Sequence, residues 1–191
     1  MAEALLRHFT KQPSAISHQL SAKNVSVNSD SAGREKLTLK TDAETKRWGA
    51  IKYTKTAIYS SIIDTPEIIA QKDKDTARLL AAGAEEVLWV QSPYSEIKDV
   101  LPVAIERLSY LDGIIVEGNS AIEFLKPDIV IFIFGRDSGN PKESARKILD
   151  MADIILFDRF LPEGLPEKVK KIRVSETDEF MNSIYGLLAG R

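Results

Sequence analysis

Glu117 and Gly118 follow directly on Ile114, Ile115 and Val116, so a carboxylate ends a short run of β-branched residues. Such a run suits a strand covered on both faces, and acids at the carboxyl ends of these strands face the ligand crevice of α/β sheets. In an NTPase, a glutamate placed there holds a Mg2+-bound water or polarises the attacking water. It serves equally well as a loop carboxylate that caps the backbone around Gly118 and Asn119.

A second group of charges comprises Lys52, Lys55, Asp64, Lys72, Asp73, Lys74, Asp75 and Arg78. Lys52 alternates with Ile51 and Tyr53 near the end of a strand-like segment, and "KDKDTAR" opens a helix with acids in its first turn, where the helix dipole favours them. As metal ligands, mixed carboxylates suit Mg2+ rather than zinc. The alternative is a solvated helix face laced with i,i+4 charge pairs.

The stretch from residue 135 to 149, "GRDSGNPKESARKIL", holds two glycines and leads into a helix with Asn140 as N-cap, Pro141 at its first position and Glu143 for a capping box. Helix starts after glycine-rich turns attract phosphate, and Lys142, Ser144 and Arg146 are near. It is no Walker A sequence, because Gly135 and Gly139 enclose three residues and Lys142 comes late. A capped structural helix accounts for the same residues. His8 and His18 are the only imidazoles, far in sequence from these acids, and no histidine lies close to Ser60, Ser61 or Ser144 to build a hydrolase triad. Trp89 reads as sheet-end packing.

The whole chain has 191 residues, 43% of them hydrophobic, enough for one α/β domain with a sizeable core. With 26 basic and 28 acidic side chains the net charge is −2, which favours neither nucleic acid nor an anionic membrane as partner. The absence of cysteine removes disulfides, thiolate metal sites and thiol catalysis. The longest apolar runs are far too short to span a bilayer and the N-terminus lacks a secretory apolar core, so the reading is a soluble cytoplasmic protein.

These side chains need elements to hold them. Ala4, Leu5 and Phe9 recur at helical spacing within residues 2 to 10. Residues 21 to 46 are rich in Ser, Asn, Asp, Lys and Thr and read as a flexible polar insertion, with a hairpin of Val25–Val27 and Leu37–Leu39 around Ser31-Ala32-Gly33. From Trp48 on, strand and helix patterns alternate. "WGAIKYTK", "EEVLWVQ", "DGIIVEG", "PDIVIFIFG", "ADIILFDR" and "KKIRVS" read as strands. Helices are expected over "KDKDTARLLAAGA", closed by Gly83, over "YSEIKDVLPVAIERLSYL", broken or kinked at Pro102, from Pro141 to Met151, and from Asp178 to Leu188. This alternation predicts an α/β fold with a three-layer, mostly parallel sheet in a single domain over 1–191. The connection between "GIIVEG" and "DIVIFIFG" is short for a crossover helix, leaving their relative direction open.

The order of "WGAIKYTKT", the acid in "IIDTPE", "KDKDTARLLAAGAEEVLWV" and "LDGIIVEGNS" resembles the P-loop GTP-binding proteins of molybdopterin-guanine dinucleotide biosynthesis, the MobB family. The matching positions are Lys52, Asp64, Lys74, Asp75, Arg78, Ala82, Gly83, Ala84, Glu117 and Gly118, within residues 48 to about 120. The resemblance implies a P-loop NTPase-like fold, Mg2+ as cofactor and GTP as ligand. It places Glu117 as the catalytic and Mg2+-binding acid, with Lys52, Asp64, Lys74, Asp75, Arg78 and Gly118 beside the nucleotide or a partner. The partners it implies are a guanine nucleotide and molybdenum cofactor biosynthesis proteins, with a homodimer allowed and neither nucleic acid nor membrane expected.

Two departures accompany it. The G-x-x-x-x-G-K-S/T segment of that family is absent, so relative to the family the chain reads as N-terminally truncated: either its recorded start lies downstream of the true one or the phosphate cradle is lost. Asp158-Arg159 stands where an Asn-Lys-x-Asp type signature reads guanine. Without the cradle amides and lysine, GTP hydrolysis is expected to be poor. Two further readings compete: a non-enzymatic, degenerate domain that binds a partner protein, and a small-molecule transferase using the Gly135 to Ser144 loop for phosphate.

Overall fold

Among the described side chains of the first helix, α1 (Ala2–Lys11), Leu5 and Leu6 are buried, while Ala4 faces solvent. The computed structural model describes residues 2–11, 27–29, 35–37, 46–134, 143–161 and 164–189. Short strands β1 (Val27–Ser29) and β2 (Glu35–Leu37) form an antiparallel hairpin pairing Val27 with Leu37, two residues nearer the turn than the strands predicted; the rest of the insertion over 21–46, up to residue 45, and the side chain of Phe9 lie outside the described residues.

The alternating segments follow in order: β3 (Trp48–Lys55), β4 (Ser61–Ile63), α2 (Pro66–Ile69), α3 (Asp75–Ala81), β5 (Glu86–Ser92), α4 (Ile97–Arg107), β6 (Gly113–Glu117) and α5 (Asn119–Ile122). The last third adds β7 (Ile131–Ile133), α6 (Glu143–Met151), β8 (Ile154–Phe157), β9 (Lys170–Arg173) and α7 (Thr177–Ala189). The start of α6, with Asn140 and Pro141, is outside the described residues. Gly83 closes α3 as expected, with φ of 110° and its N–H donated to the Leu80 carbonyl. Helix α4 runs unbroken through Pro102, so of the predicted break or kink the break does not occur; its exposed ring removes one amide and leaves the helix continuous.

The α/β class holds, and the strands from β3 onward divide into two sheets. One has the order β4-β5-β3-β6 and is parallel except for β4, which pairs antiparallel with β5; the other, β7-β8-β9, is wholly parallel. Segment 61–63 gave too short a pattern to announce β4, and α5 was likewise hidden in the stretch after Gly118.

Strand alternation sorts the core into layers. On one face, Ala50, Val87 and Trp89 pack with Leu6 and Leu79, and Ile154, Leu156 and Ile172 pack with Leu5, Phe180 and Ile184. This face is covered by α1, α3 and α7. On the other, Ile51, Leu88 and Val90 pack beneath Ile97, Leu101 and Leu108 of α4 and its end, while Phe132 and Ile155 meet Ile148 and Leu149 of α6. Three layers result, as both faces of parallel strands must be covered. Leu88 is wholly buried in β5. Leu88→Ala is expected to destabilise the chain by about 2–5 kcal/mol, read as a lower urea midpoint with an unchanged slope.

Candidate functional site

Residues of equal parity in neighbouring parallel strands share a face, and in β3, β5 and β6 this rule lines up a row. Lys52 pairs in register with Trp89 on one side and Glu117 on the other, at the carboxyl end of the sheet and on the face covered by α1 and α3. The turn before α3 brings the next component. Asp73 adopts a left-handed conformation with φ of 66°, tolerable for Asp, and the chain then turns into Lys74 and the first helical residue, Asp75.

The outcome is a shared cation. Lys52 Nζ lies 2.7 Å from Asp75 Oδ2 and 3.0 Å from Glu117 Oε1, and its side chain is only 20% exposed. Arg78 extends the network, 3.1 Å from Asp75 and 4.0 Å from Glu3 at the start of α1. Burial alone would depress the Lys52 ammonium, but hydrogen bonds and charge from Asp75 and Glu117 outweigh it and hold the group above its ordinary value. The Lys52 hydrogen bond keeps the Asp75 carboxyl below its ordinary range, against some desolvation and with help from the charges of Lys52 and Arg78.

Beside this network a shallow cavity of about 80 Å3 is lined by Lys52, Thr54, Lys74, Asp75, Thr76 and Trp89. Whole organic ligands occupy roughly 300–1,000 Å3, so the cavity has room for a phosphate-sized group or a hydrated cation and none for a nucleotide. Thr54, Thr76 and Trp89 carried no signal as site residues in the sequence. The Trp89 indole donates to Thr54 Oγ1 at 3.0 Å, and buried Thr76 donates to the Ile69 carbonyl at 2.8 Å, so two of the cavity's walls are fixed by internal bonds. Lys74 has no ion-pair partner among the described residues and is exposed at the cavity's rim.

Six of the seven residues singled out from the sequence therefore converge: Lys52, Lys74, Asp75, Arg78, Glu117 and Gly118. Gly118 does so through its backbone. Its φ of 146° disfavours any side chain, and an added Cβ would stand 2.9 Å from the Tyr53 Cβ. Asp64 is placed elsewhere. Because β4 runs antiparallel, Asp64 emerges on the opposite helix layer, 3.3 Å from Arg107 at the end of α4. The loop from Gly135 to Lys142 is outside the described residues.

Among the described residues no cluster of three or more His, Cys, Asp or Glu forms a metal cage. Asp75 and Glu117 supply two carboxylates on one cation-sized position, a donor set that suits Mg2+, which takes one or two carboxylates and completes its shell with water and phosphate. Lys52 occupies that position, so a divalent ion would have to displace its ammonium. No helix of the described residues is long and apolar enough to cross a membrane. Comparison with protein-family models, curated proteins and solved structures finds no match to this chain.

Gly118→Ala is expected to cost about 1–3 kcal/mol of stability in denaturant titration, through forced backbone strain and contact with Tyr53. Lys52→Ala is expected to lower stability by on the order of 1 kcal/mol or less at neutral pH, given the exposure of both acids. Since the Asp75 pKa is depressed, its share is present above the ordinary carboxylate pKa and fades as pH falls below about 4. Since the Lys52 pKa is raised, its share is full below its ordinary 10.5 and fades above it. The difference between wild type and variant should thus vanish at both extremes; a constant difference from pH 2 to 7 would refute the pairing.

Proposed function

We propose that this chain is a MobB-like nucleotide-binding accessory protein of molybdenum cofactor maturation, built on a P-loop NTPase-like sheet and poor at hydrolysing GTP. The observation that carries this reading is the convergence of Lys52, Asp75 and Glu117 at the carboxyl end of parallel strands, where α/β sheets bind ligands. The motif series from Lys52 to Gly118 supports it in the same order along the chain.

In this reading Asp75 and Glu117 hold Mg2+, and Lys52, once released, joins Lys74 and Arg78 around the phosphates. Mg2+ supplies neutralisation of phosphate charge at that point. Glu117 keeps the residue role given it by the motif, and Gly118 lets the chain turn away without covering the site. The cavity accepts only the phosphate end of such a ligand, so base and sugar would lie over neighbouring surface and affinity would be low. Asp64 takes a place outside the nucleotide contacts, on the side available to a partner protein.

A second reading, a partner-binding domain without catalysis, draws on a different observation. Ile58, Tyr59, Tyr94, Phe124, Phe160 and Leu161 are exposed in the segments that follow the carboxyl ends of β3, β5, β6 and β8. A rim of this composition suits a protein interface, including one with a second copy.

Calorimetric titration with a non-hydrolysable GTP analogue separates the two. The first reading expects Mg2+-dependent binding with a Kd of roughly 0.1–1 mM, or about 4–5.5 kcal/mol, weakened at least tenfold by Glu117→Gln. Absence of binding to this chain and to one extended upstream of Met1, together with concentration-dependent association in light scattering, would replace it with the second.

A further inference from the structure

The cavity beside Lys52 is walled by hydrogen-bond donors, yet nearly all of them are already engaged. The Trp89 indole N–H is given to Thr54 Oγ1 at 3.0 Å, and the Thr76 hydroxyl to the Ile69 carbonyl at 2.8 Å. Lys52 directs two of its three N–H groups at Asp75 Oδ2 and Glu117 Oε1, 2.7 and 3.0 Å away. Asp75 is itself a wall of the cavity, and its other oxygen, Oδ1, is taken by Arg78 at 3.1 Å. What is left is the Thr54 hydroxyl, the third N–H of Lys52, and the ammonium of Lys74, which has no ion-pair partner among the described residues.

A lone phosphate-sized anion therefore meets a poor host. It gains one exposed lysine and faces the Asp75 carboxylate across the same small volume, where like charges repel. The Arg78 guanidinium is engaged by Asp75 and the Lys52 ammonium by both acids, so each of these cations must leave a carboxylate before it can serve an anion. Leaving is most unfavourable for Lys52. Its side chain is 20% exposed, and withdrawing the ammonium to an anion would leave two carboxylates facing each other with no cation between them.

The acids, by contrast, are open to exchange. Asp75 and Glu117 keep 41% and 44% of their side chains exposed, so an ion from solvent reaches them where it does not reach the stem of Lys52. Once both carboxylates turn to a divalent cation, Lys52 loses the attraction that holds it, and its ammonium is free for an oxyanion on that cation.

We propose that Asp75 and Glu117 are specificity-determining residues of this cavity: by holding Lys52 they keep it closed to free oxyanions, and they release it to a phosphate group that arrives complexed with a divalent cation. The ligand class is thus a metal–polyphosphate complex, with inorganic phosphate, sulfate and metal-free nucleotide rejected, a specificity that rests on the phosphate reading of the cavity given above. A simple basic patch behaves in the opposite way. Mg2+ lowers the charge of a polyphosphate, so a patch that binds by net charge takes the free anion more tightly.

Calorimetric titration of the full chain with inorganic pyrophosphate, at about 0.15 M ionic strength to screen distant charges, tests this. Wild type is expected to bind the Mg2+ complex about tenfold tighter than free pyrophosphate in EDTA. In EDTA, Glu117→Gln and Asp75→Asn are expected to bind free pyrophosphate about fivefold tighter than wild type, because either change loosens Lys52. With Mg2+ the sign reverses, and Glu117→Gln binds more weakly than wild type. Glu3→Gln removes an acid of the same network that pairs with Arg78 rather than Lys52, and is expected to change the EDTA affinity by less than about twofold. Adding Lys52→Gln to Glu117→Gln is expected to abolish the gain. Urea midpoints identify any variant that fails to fold, and the wild-type comparison stands without them. Free pyrophosphate binding to wild type as tightly as its Mg2+ complex, or Glu3→Gln matching Glu117→Gln, would overturn the specificity while leaving the phosphate site in place. No pyrophosphate binding by any form, with or without Mg2+, would remove the phosphate reading itself and the specificity with it.

Discussion

Parallel pairing on both edges of β3 is the constraint from which the rest of the described structure follows. A strand bonded to β5 over seven positions and to β6 over five has no exposed edge, and its two faces must each meet a helix layer. That fixes Ala50 against Leu6 and Leu79 and Ile51 against α4. It also fixes what the next residue does. Lys52, of the same parity as Ala50, must emerge on the α1 and α3 face, where the helix layer ends and the crevice begins.

An ammonium held there is costly unless paired, and the fold supplies two acids from different sources. Glu117 comes by strand register and Asp75 by the start of a helix, so neither depends on the other for its position. The resulting network, with Arg78 and Glu3 added, places three cations and three carboxylates around a small cavity once Lys74 is included. Such a site has little net charge of its own. An anion gains only where Lys52 exchanges its carboxylate partners for phosphate, and a divalent cation gains only where Lys52 leaves, so binding one favours binding the other. That coupling is what a metal–phosphate ligand needs, and what a lone anion lacks.

How much of this was legible depended on whether a residue's position is set locally. The strands from Trp48 to Glu117 announce themselves by β-branched runs and the helices by Gly83 and by apolar spacing, so Lys52, Asp75 and Glu117 could be set at element ends from the sequence. Their meeting could not be read, since it needs the register of Lys52 beside Glu117. That Asp64 stands apart from the others could not be read, because three residues, Ser61 to Ile63, give too little pattern to reveal an antiparallel turn-back, and one reversed strand puts the acid on the other helix layer. Thr54, Thr76 and Trp89 were invisible as cavity walls because a threonine or tryptophan at a strand or helix end is the ordinary product of packing. Pro102 signals a break or a kink, and the break does not occur: on the exposed side of α4 its ring costs one hydrogen bond and leaves the helix continuous.

The division into two sheets has a physical reading that the strand patterns alone lack. Periodicity reports how a strand's faces are covered and is silent on its edges. The edge information lies in composition: Lys170, Lys171 and Arg173 on β9 are tolerable only beside water, while Ile114, Ile115 and Val116 on β6 have nothing to repel a neighbouring strand. Closing β6 directly on β7 would satisfy the backbone groups of both edges, but α1 and α5 already span the space between them from both faces, and narrowing it would crowd Leu5 and Leu6 against Ile115 beneath α1.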